Sequence, residues 1–398
     1  MNKENPQKKY IVVFDIDSGS VGGSVLEYSF TKKGEVDFVR SFISLRKDIS
    51  DGAQYDYQRF WKKAQKTFDA LATEIYLHAL VPISGIFCNV GSPWISSQKR
   101  ITQYQPKKGD AFTVDENLLA KLEQKDLKTS LKKNLNYHQY DVELIDRKVL
   151  DYYINGYPVK EPLGTIARTF EVHSLVSVMS RKTKKSFEGI IQKHFHRDPI
   201  FLSNPYVFYY GVKTLLPHND NALIFDIGTE LTEILIIEND HLRNFGVFPS
   251  GVHTILRDLS SRMGLSMLEA RNTLELFTER AFTDSYAELL EEDSEKAFHS
   301  WLKPFYNALD EFSKKGLLPN TLVLKTHDTL SLWFERMILS HDELGEHLLT
   351  NGRIELISFE NALPYVFNEI EDIEMKLLAH YISEQKDLFS QSDYDTFS

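Results

Sequence analysis

Two short segments of the sequence combine an aspartate, a turn of small residues and a hydroxyl in the same order. They are residues 15–18, with the letters DIDS, and residues 226–229, with the letters DIGT. The backbone N–H groups of such a turn can point at phosphate oxygens, and the hydroxyl adds a further donor. The aspartate can hold a hydrated Mg²⁺ ion. Two such turns facing each other would therefore hold a polyphosphate from both sides.

The predicted elements around these segments repeat as well. In the first half, residues 10–16 and 21–28 predict two strands joined by the turn. Apolar side chains at helical spacing then predict a helix over residues 57–75. In the second half, residues 222–226 and 231–238 predict the same strand–turn–strand unit. A duplicated unit of this kind indicates an α/β fold of two related lobes with a cleft between them.

A stretch of different composition interrupts the first lobe. Beyond an apolar strand predicted at residues 82–90, the chain becomes rich in Lys and Gln, and residues 142–154 and 167–179 then predict two further strands. This pattern is typical of a small inserted α+β unit. We therefore divide the chain into lobe I at residues 1–85 (with 184–219 and 359–398), an inserted subdomain at 86–183 and lobe II at 220–358.

The two segments resemble the phosphate-1 and phosphate-2 loops of the actin, sugar-kinase and heat-shock-chaperone superfamily. Within it, the bacterial FtsA and PilM proteins are the most similar. Residues 251–259 and 264–270 resemble the segment after phosphate-2 in FtsA, and residues 149–156, followed by a P-L-G at 162–164, resemble its inserted subdomain. The likeness covers residues 11 to about 339. It implies a duplicated actin-like, ribonuclease-H-like two-lobe fold carrying an inserted subdomain.

The resemblance also implies a nucleotide site with ATP and Mg²⁺ as cofactors. Asp15 and Asp226 would hold the metal through water molecules if nucleotide binds. Asn204 is a weak candidate for the catalytic group. The nucleotide-binding residues would be Asp15, Ser18, Gly19, Ser20, Asp226, Gly228, Thr229, Thr232 and Gly251.

Several positions depart from the family pattern. Asp17 replaces the usual glycine of the first loop, and its carboxylate would repel phosphate. Asn204 stands where many relatives carry a carboxylate before proline, and an amide is a poorer general base. Residues 326–328, with the letters THD, replace the T-G-G of the adenosine segment. Arg271 and Leu274 replace the Glu and Lys of FtsA relatives. Two alternatives stay open: a nucleotide site that still binds, and an eroded site whose aspartates only end strands.

Composition excludes several other classes of function. The 398 residues carry a net charge of −11, which argues against non-specific binding to nucleic acid or anionic lipid. Cys88 is the only cysteine, so no disulfide forms within the chain. We find no apolar run of the ~20 residues that a membrane-spanning helix needs, and no signal-peptide pattern. Histidines 194 and 196 lie in a basic segment and are more typical of a surface than of a zinc site.

The predicted function is therefore that of an FtsA/PilM-type scaffold or adaptor, either a weak ATPase or a pseudo-ATPase. It would link a cell-division or type IV pilus assembly to a membrane partner, self-associate into filaments, and stay in the cytoplasm at the inner membrane. The polar, acidic tail at residues 383–398 cannot act as a basic membrane helix, so membrane contact would go through the partner. The alternative is an active ATP-dependent switch or a kinase-like phosphotransferase on the same fold.

Overall fold

The computed structural model describes residues 7–31, 36–49, 57–107, 109–133, 141–216, 220–279, 284–314, 316–326, 330–341, 355–358 and 369–385. The predictions for His327 and Asp328, and for the tail from residue 386 onward, lie outside the described residues.

A five-stranded sheet forms the centre of lobe I, in the order β11-β4-β1-β2-β3. Its strands are β1 (Gln7–Ile16), β2 (Ser20–Phe30), β3 (Val36–Asp48), β4 (Ile83–Val90) and β11 (Ile200–Ser203). Strands β1 to β3 form an antiparallel meander, whereas β4 and β11 run parallel to β1. Helices cover both faces of the sheet, because alternate residues of β1 are buried on opposite sides. These helices are α1 (Tyr57–His78), α3 (Arg181–Phe195), α4 (Asn204–Leu215) and α9 (Ile373–Glu384).

Lobe II repeats this topology in a second five-stranded sheet, in the order β14-β13-β12-β15-β16. Its strands are β12 (Ala222–Ile227), β13 (Thr232–Glu238), β14 (His241–Phe248), β15 (Thr321–Thr326) and β16 (Glu355–Ser358). The first three again form a meander, and the last two again run parallel to the first strand. A large apolar core joins this sheet to α5 (Val252–Met263), α6 (Met267–Thr278), α7 (Asp284–Ser313) and α8 (Ser331–Ser340). The duplication predicted from the two aspartate segments is thus present in the strand order.

The inserted subdomain has a sheet of its own, in the order β5-β10-β7-β8. Its strands are β5 (Ile95–Tyr104), β7 (Val142–Ile154), β8 (Tyr157–Val159) and β10 (Phe170–Ser180), beside a small ribbon of β6 (Phe112–Thr113) and β9 (Ile166–Ala167) and the helix α2 (Glu116–Lys133). Asp126 of α2 is buried and accepts hydrogen bonds from Arg100, Arg147 and Ser174, which fixes the helix on the sheet. The predicted boundary at residue 86 falls inside β4, which pairs with β1 in lobe I.

No helix among the described ranges is long and apolar enough to cross a membrane.

Candidate functional site at the contact between the lobes

The two aspartate segments form loops that touch each other across the lobes. The first loop (residues 17–19) connects β1 to β2, and the second loop (residues 228–231) connects β12 to β13. The backbone N–H of Glu230 donates to Ser18 Oγ at 3.2 Å. A Cβ atom added to Gly19 would lie only 2.0 Å from Cβ of Thr229. Glycine is therefore required at position 19 because the side chain of Thr229 lies directly on its backbone.

Asp15, at the end of β1, is paired with a cation of its own chain. It is buried, with 2% of its surface exposed, and its Oδ2 atom accepts a hydrogen bond from Arg46 Nη1 at 3.1 Å. Asn89 Nδ2 donates to its other oxygen at 2.9 Å. Arg46 also donates to Ser20 Oγ at 2.9 Å and binds both carboxylate oxygens of Asp372, at 2.7 and 3.0 Å. Burial by itself would lower the pKa of Arg46, but Asp372 and Asp15 outweigh it and raise this pKa.

Asp226, at the corresponding place in lobe II, is also paired with a cation. The ammonium group of Lys325 lies 2.5 Å from Asp226 Oδ2 and 2.6 Å from Glu374 Oε1. Lys325 is 2% exposed, and burial favours its neutral form, but Asp226 and Glu374 together raise its pKa. The two aspartates that would hold a hydrated metal thus each contact a positively charged side chain instead.

A chain of amides connects the two aspartates. Asn89 Nδ2 donates both to Asp15 and to Asn204 Oδ1, the second at 3.1 Å. Asn204 Nδ2 lies 3.5 Å from Asp226 Oδ2, at the limit of hydrogen bonding. Asn204, the weak catalytic candidate, is only 8% exposed. It is held between Asn89 of lobe I and Asp226 of lobe II.

Asp17 is the first residue of the first loop, and its side chain lies near Gly91 and near Gly228 of the second loop. A Cβ atom added to Gly91 would be 3.4 Å from its Oδ1 atom, and one added to Gly228 would be 3.3 Å from its Oδ2 atom. Burial raises the pKa of Asp17 well above its usual value, and the neighbouring carboxylates of Asp15 and Asp226 raise it further. The side chain that departs from the family pattern thus occupies the space next to the glycine of the second loop.

The remaining predicted residues lie behind the second loop. Gly251 precedes α5, and a Cβ atom there would come within 2.4 Å of the Gly228 carbonyl oxygen. The first N–H groups of α5, from Val252 and His253, donate to the carbonyl oxygens of Gly228 and Thr229 at 3.0 and 2.9 Å. These donors, which a helix N-terminus can offer to an anion, are used inside the lobe.

Thr232 points into the interior of lobe II. Its hydroxyl donates to the carbonyl oxygen of Ser250 at 2.7 Å and accepts from Trp301 Nε1 at 3.1 Å. Glu230, next to it, receives hydrogen bonds from His253 and Arg257, and these overcome burial to lower its pKa to about 2. The structure therefore gathers the residues at 15, 17–20, 226, 228 and 229 at the lobe contact and places Thr232 and Gly251 one layer behind it.

Sequence reasoning missed the residues that pair with the two aspartates. Arg46 lies on β3 opposite Gly22, and nothing in its own segment marks it. Lys325 could have been noticed, because it is the one charged residue in the apolar strand β15 and lies in register with Asp226. Glu374 lies in the first turn of α9 and Asp372 caps the start of that helix, nearly 150 positions after Asp226. Within the described ranges, no group of three or more His, Cys, Asp or Glu side chains is arranged to hold a metal ion.

A second feature is a cavity of about 680 Å³ between lobe I and the inserted subdomain, which we call the groove. Its apolar walls include Trp61, Trp94, Val178 and Met179. Trp94 is only 4% exposed and belongs to the lobe I core. Basic side chains stand along the groove at the start of α3: Arg181, Lys182 and Lys185.

No protein-family model matches the chain, and no curated protein matches its sequence. Among solved structures, the chain is similar to one of a PilM–PilN complex of type IV pilus biogenesis. The TM-score is 0.60 and the identity 13%, with 96% of this chain and 98% of that chain covered. A Bacteroides thetaiotaomicron protein with an actin-like ATPase fold and unknown function matches at 12% identity, covering 94% and 96%, with a TM-score of 0.39. The ethanolamine utilization protein EutJ from Carboxydothermus hydrogenoformans matches at 10% identity, covering 90% and 86%, with a TM-score of 0.41.

The likeness to the PilM chain extends over nearly the whole of both chains and shows a common fold. The chain has the duplicated, actin-like α/β fold, and this confirms the fold predicted from the two aspartate segments.

Proposed function

We propose that the protein is a PilM-type scaffold that holds a segment of a partner protein, and that the contact between its lobes is a structural latch in place of an ATPase site. The direct contact of the two loops supports a structural latch in place of an ATPase site. The Ser18–Glu230 hydrogen bond and the packing of Thr229 on Gly19 occupy the space in which a polyphosphate would be held.

The charges at the latch support the same proposal. In a phosphate site, the two aspartates would face a metal ion whose charge offsets that of the phosphates. Here the cations are Arg46, which is already paired with Asp372 at the start of α9, and Lys325, which is already paired with Glu374 of α9. A nucleotide would have to displace these carboxylates and would also meet the carboxyl group of Asp17. Both effects oppose binding.

The groove supports the scaffold half of the proposal. Helix α3 begins with the letters RKTKK and has no acidic residue in its first turn. Cations at a helix N-terminus oppose the helix dipole. Arg181 and Lys184 offset this by pairing with Glu143. Lys182 and Lys185 are exposed, and neither forms an ion pair with another described residue. We infer that the groove holds a segment combining apolar side chains with acidic ones, contributed by the cytoplasmic part of a membrane protein. The similar solved structure is itself a complex, of PilM with PilN.

Calorimetry with ATP and Mg²⁺ tests the latch. We expect no heat of binding from the wild-type protein at millimolar nucleotide, because the two described loops touch where the phosphates would lie. The matched variant is Asp226→Ala, in which Glu374 still pairs with Lys325. Micromolar binding by the wild type that this variant abolishes would make the protein a nucleotide switch and overturn the latch.

Site-specific cross-linking tests the scaffold. A photoreactive amino acid at Lys182 should capture, in cells of the source organism, the cytoplasmic segment of a membrane protein. The control is the same group at Lys160, which is exposed on the inserted subdomain and does not line the groove. The captured protein also decides between a pilus and a division assembly. Equal capture from both positions would contradict a partner site in the groove.

A further inference from the structure

A four-residue turn, residues 91–94, connects lobe I to the inserted subdomain between β4 and β5. The Trp94 N–H donates to the Gly91 carbonyl oxygen at 3.1 Å and closes the turn. The Gly91 N–H donates to the carbonyl oxygen of Ile16, at the end of β1, at 3.0 Å. This turn is therefore fixed directly beside the first loop.

On one side, the turn forms part of the groove wall. The Trp94 ring stacks on Phe60, with centroids 5.1 Å apart and planes at 4°, and lies 5.5 Å from Trp61. Its indole Nε1–H donates to the Asp17 carbonyl oxygen at 2.9 Å. One side chain thus lines the groove and holds the backbone of the first loop.

On the other side, the turn reaches lobe II. Ser92 Oγ donates to Glu233 Oε1 at 2.7 Å, and the Ser92 N–H approaches the same oxygen at 3.4 Å. Glu233 lies on β13, immediately after the second loop, and is 5% exposed. Residues 91–94 therefore contact the groove, the first loop and lobe II at once.

We propose that the turn at residues 91–94 couples the groove to the latch, so that a segment bound in the groove stabilises the closed contact between the lobes. This inference rests on the proposed role of the groove as a partner site. A bound segment would pack against Trp94 and keep its indole directed at the Asp17 carbonyl, which holds the first loop against Thr229. By thermodynamic linkage, the factor by which a bound segment stabilises the closed latch equals the factor by which closure of the latch strengthens groove binding. A variant that opens the latch must therefore lose groove affinity.

Ser92→Ala weakens the latch without changing a residue of the groove, and it therefore tests whether the two sites are coupled. Ser92 does not line the groove, so the substitution removes the contact with Glu233 without touching a groove ligand. The probe is anilinonaphthalene sulfonate, whose apolar rings and single negative charge match the walls and the basic rim. We expect the dissociation constant of the dye to rise by up to about fivefold, the factor that corresponds to the loss of one hydrogen bond. The matched control is Ser97→Ala, which removes a hydrogen bond to Ser177 inside the inserted subdomain and should leave dye affinity unchanged.

Two outcomes of the dye experiment have different meanings. Equal affinities for Ser92→Ala, Ser97→Ala and the wild type would overturn the coupling but leave the groove as a partner site. The double variant Lys182→Ala/Lys185→Ala should weaken binding of the dye, because it removes the two exposed cations beside the groove. If that variant binds the dye as the wild type does, the dye does not report on the groove and the proposed function loses this support.

Hydrogen exchange tests the coupling without any ligand. The Glu230 amide, which donates to Ser18 across the lobes, reports on the latch. Trp94→Phe keeps an aromatic ring in the groove wall but removes the indole donor to Asp17. We expect faster exchange at the Glu230 amide in this variant and unchanged exchange in β10. Unchanged exchange at Glu230 would overturn the coupling whatever the dye shows.

Discussion

At the residue scale, the contact between the lobes collects more carboxyl groups than cations. Burial raises the pKa of Asp17, of Glu233 and of Glu374, and in each case nearby carboxylates raise it further. Arg46 and Lys325 supply the positive charge. A buried site with excess negative charge lowers its free energy by keeping some carboxyl groups protonated. The stability of the latch should therefore depend on pH in the neutral range.

Glu233 gives the sharpest prediction, because its pKa is raised to about 7 from 4.5. Below pH 4.5 the group is protonated in both the folded and the unfolded state. Between pH 4.5 and 7 only the unfolded state ionises, so the free energy of unfolding falls as the pH rises. The full difference corresponds to about 3 kcal/mol. We expect Glu233→Gln to remove this slope and to stabilise the protein above pH 7, as measured by urea unfolding at several pH values.

The control for this prediction is Glu238→Gln, a substitution on the same strand at a position paired with Arg243 on the surface of lobe II. It should leave the slope between pH 4.5 and 7 in place. An unchanged slope in Glu233→Gln would mean that another group of the latch, such as Asp17 or Glu374, binds the proton.

At the element scale, the two strand–turn–strand units position the latch. Each unit was predictable, because an apolar run ending in an aspartate and small residues marks a strand and its turn locally. The contact between the turns was not predictable from the sequence, because Gly19 and Thr229 meet only when the lobes pack. The pairing of Arg46 and Lys325 with the two aspartates was not predictable for the same reason, because it depends on strand register and on a helix from the other end of the chain.

Gly19→Ala tests how closely the units fit. The new methyl group would overlap the side chain of Thr229, so the loops must separate. We expect a loss of about 1–3 kcal/mol, typical of overpacking, and faster hydrogen exchange at the Glu230 amide. Thr229→Gly removes the side chain that the new methyl group would overlap. In a Thr229→Gly background, Gly19→Ala should therefore cost much less unfolding free energy than it does in the wild type. Additive effects of the two substitutions would show that the loops do not press on each other.

At the scale of the whole molecule, the inserted subdomain contacts lobe II as well as lobe I. His241 Nδ1, at the start of β14, lies 2.6 Å from Asp151 Oδ1 of β7. Lys99 of β5 donates to the carbonyl oxygen of Leu242, and burial lowers the pKa of this lysine. The Tyr153 ring lies between His173, at 4.4 Å, and His241, at 5.8 Å. The subdomain therefore bridges the lobes on the side of the β14 edge.

A double-mutant cycle with His241→Ala and Asp151→Ala measures this bridge. Each single substitution should cost about 1 kcal/mol in the free energy of unfolding, and the pair should show a coupling energy of similar size. Hydrogen exchange should rise in β14 and β7 while the lobe I sheet stays protected. A coupling energy of zero would mean that the two side chains do not hold the subdomain on lobe II.

The single cysteine has a practical consequence for following these motions. Cys88 is completely buried on β4, in the core under α1, and burial together with the nearby Asp15 raises the pKa of its thiol. A disulfide reagent can therefore reach it only when β4 separates from its neighbours. Its labelling rate would therefore measure how often lobe I opens, without an engineered probe and without a contribution from lobe II. Comparing the labelling rate of Cys88 between the wild type and the latch variants would show whether the lobes open one at a time or together.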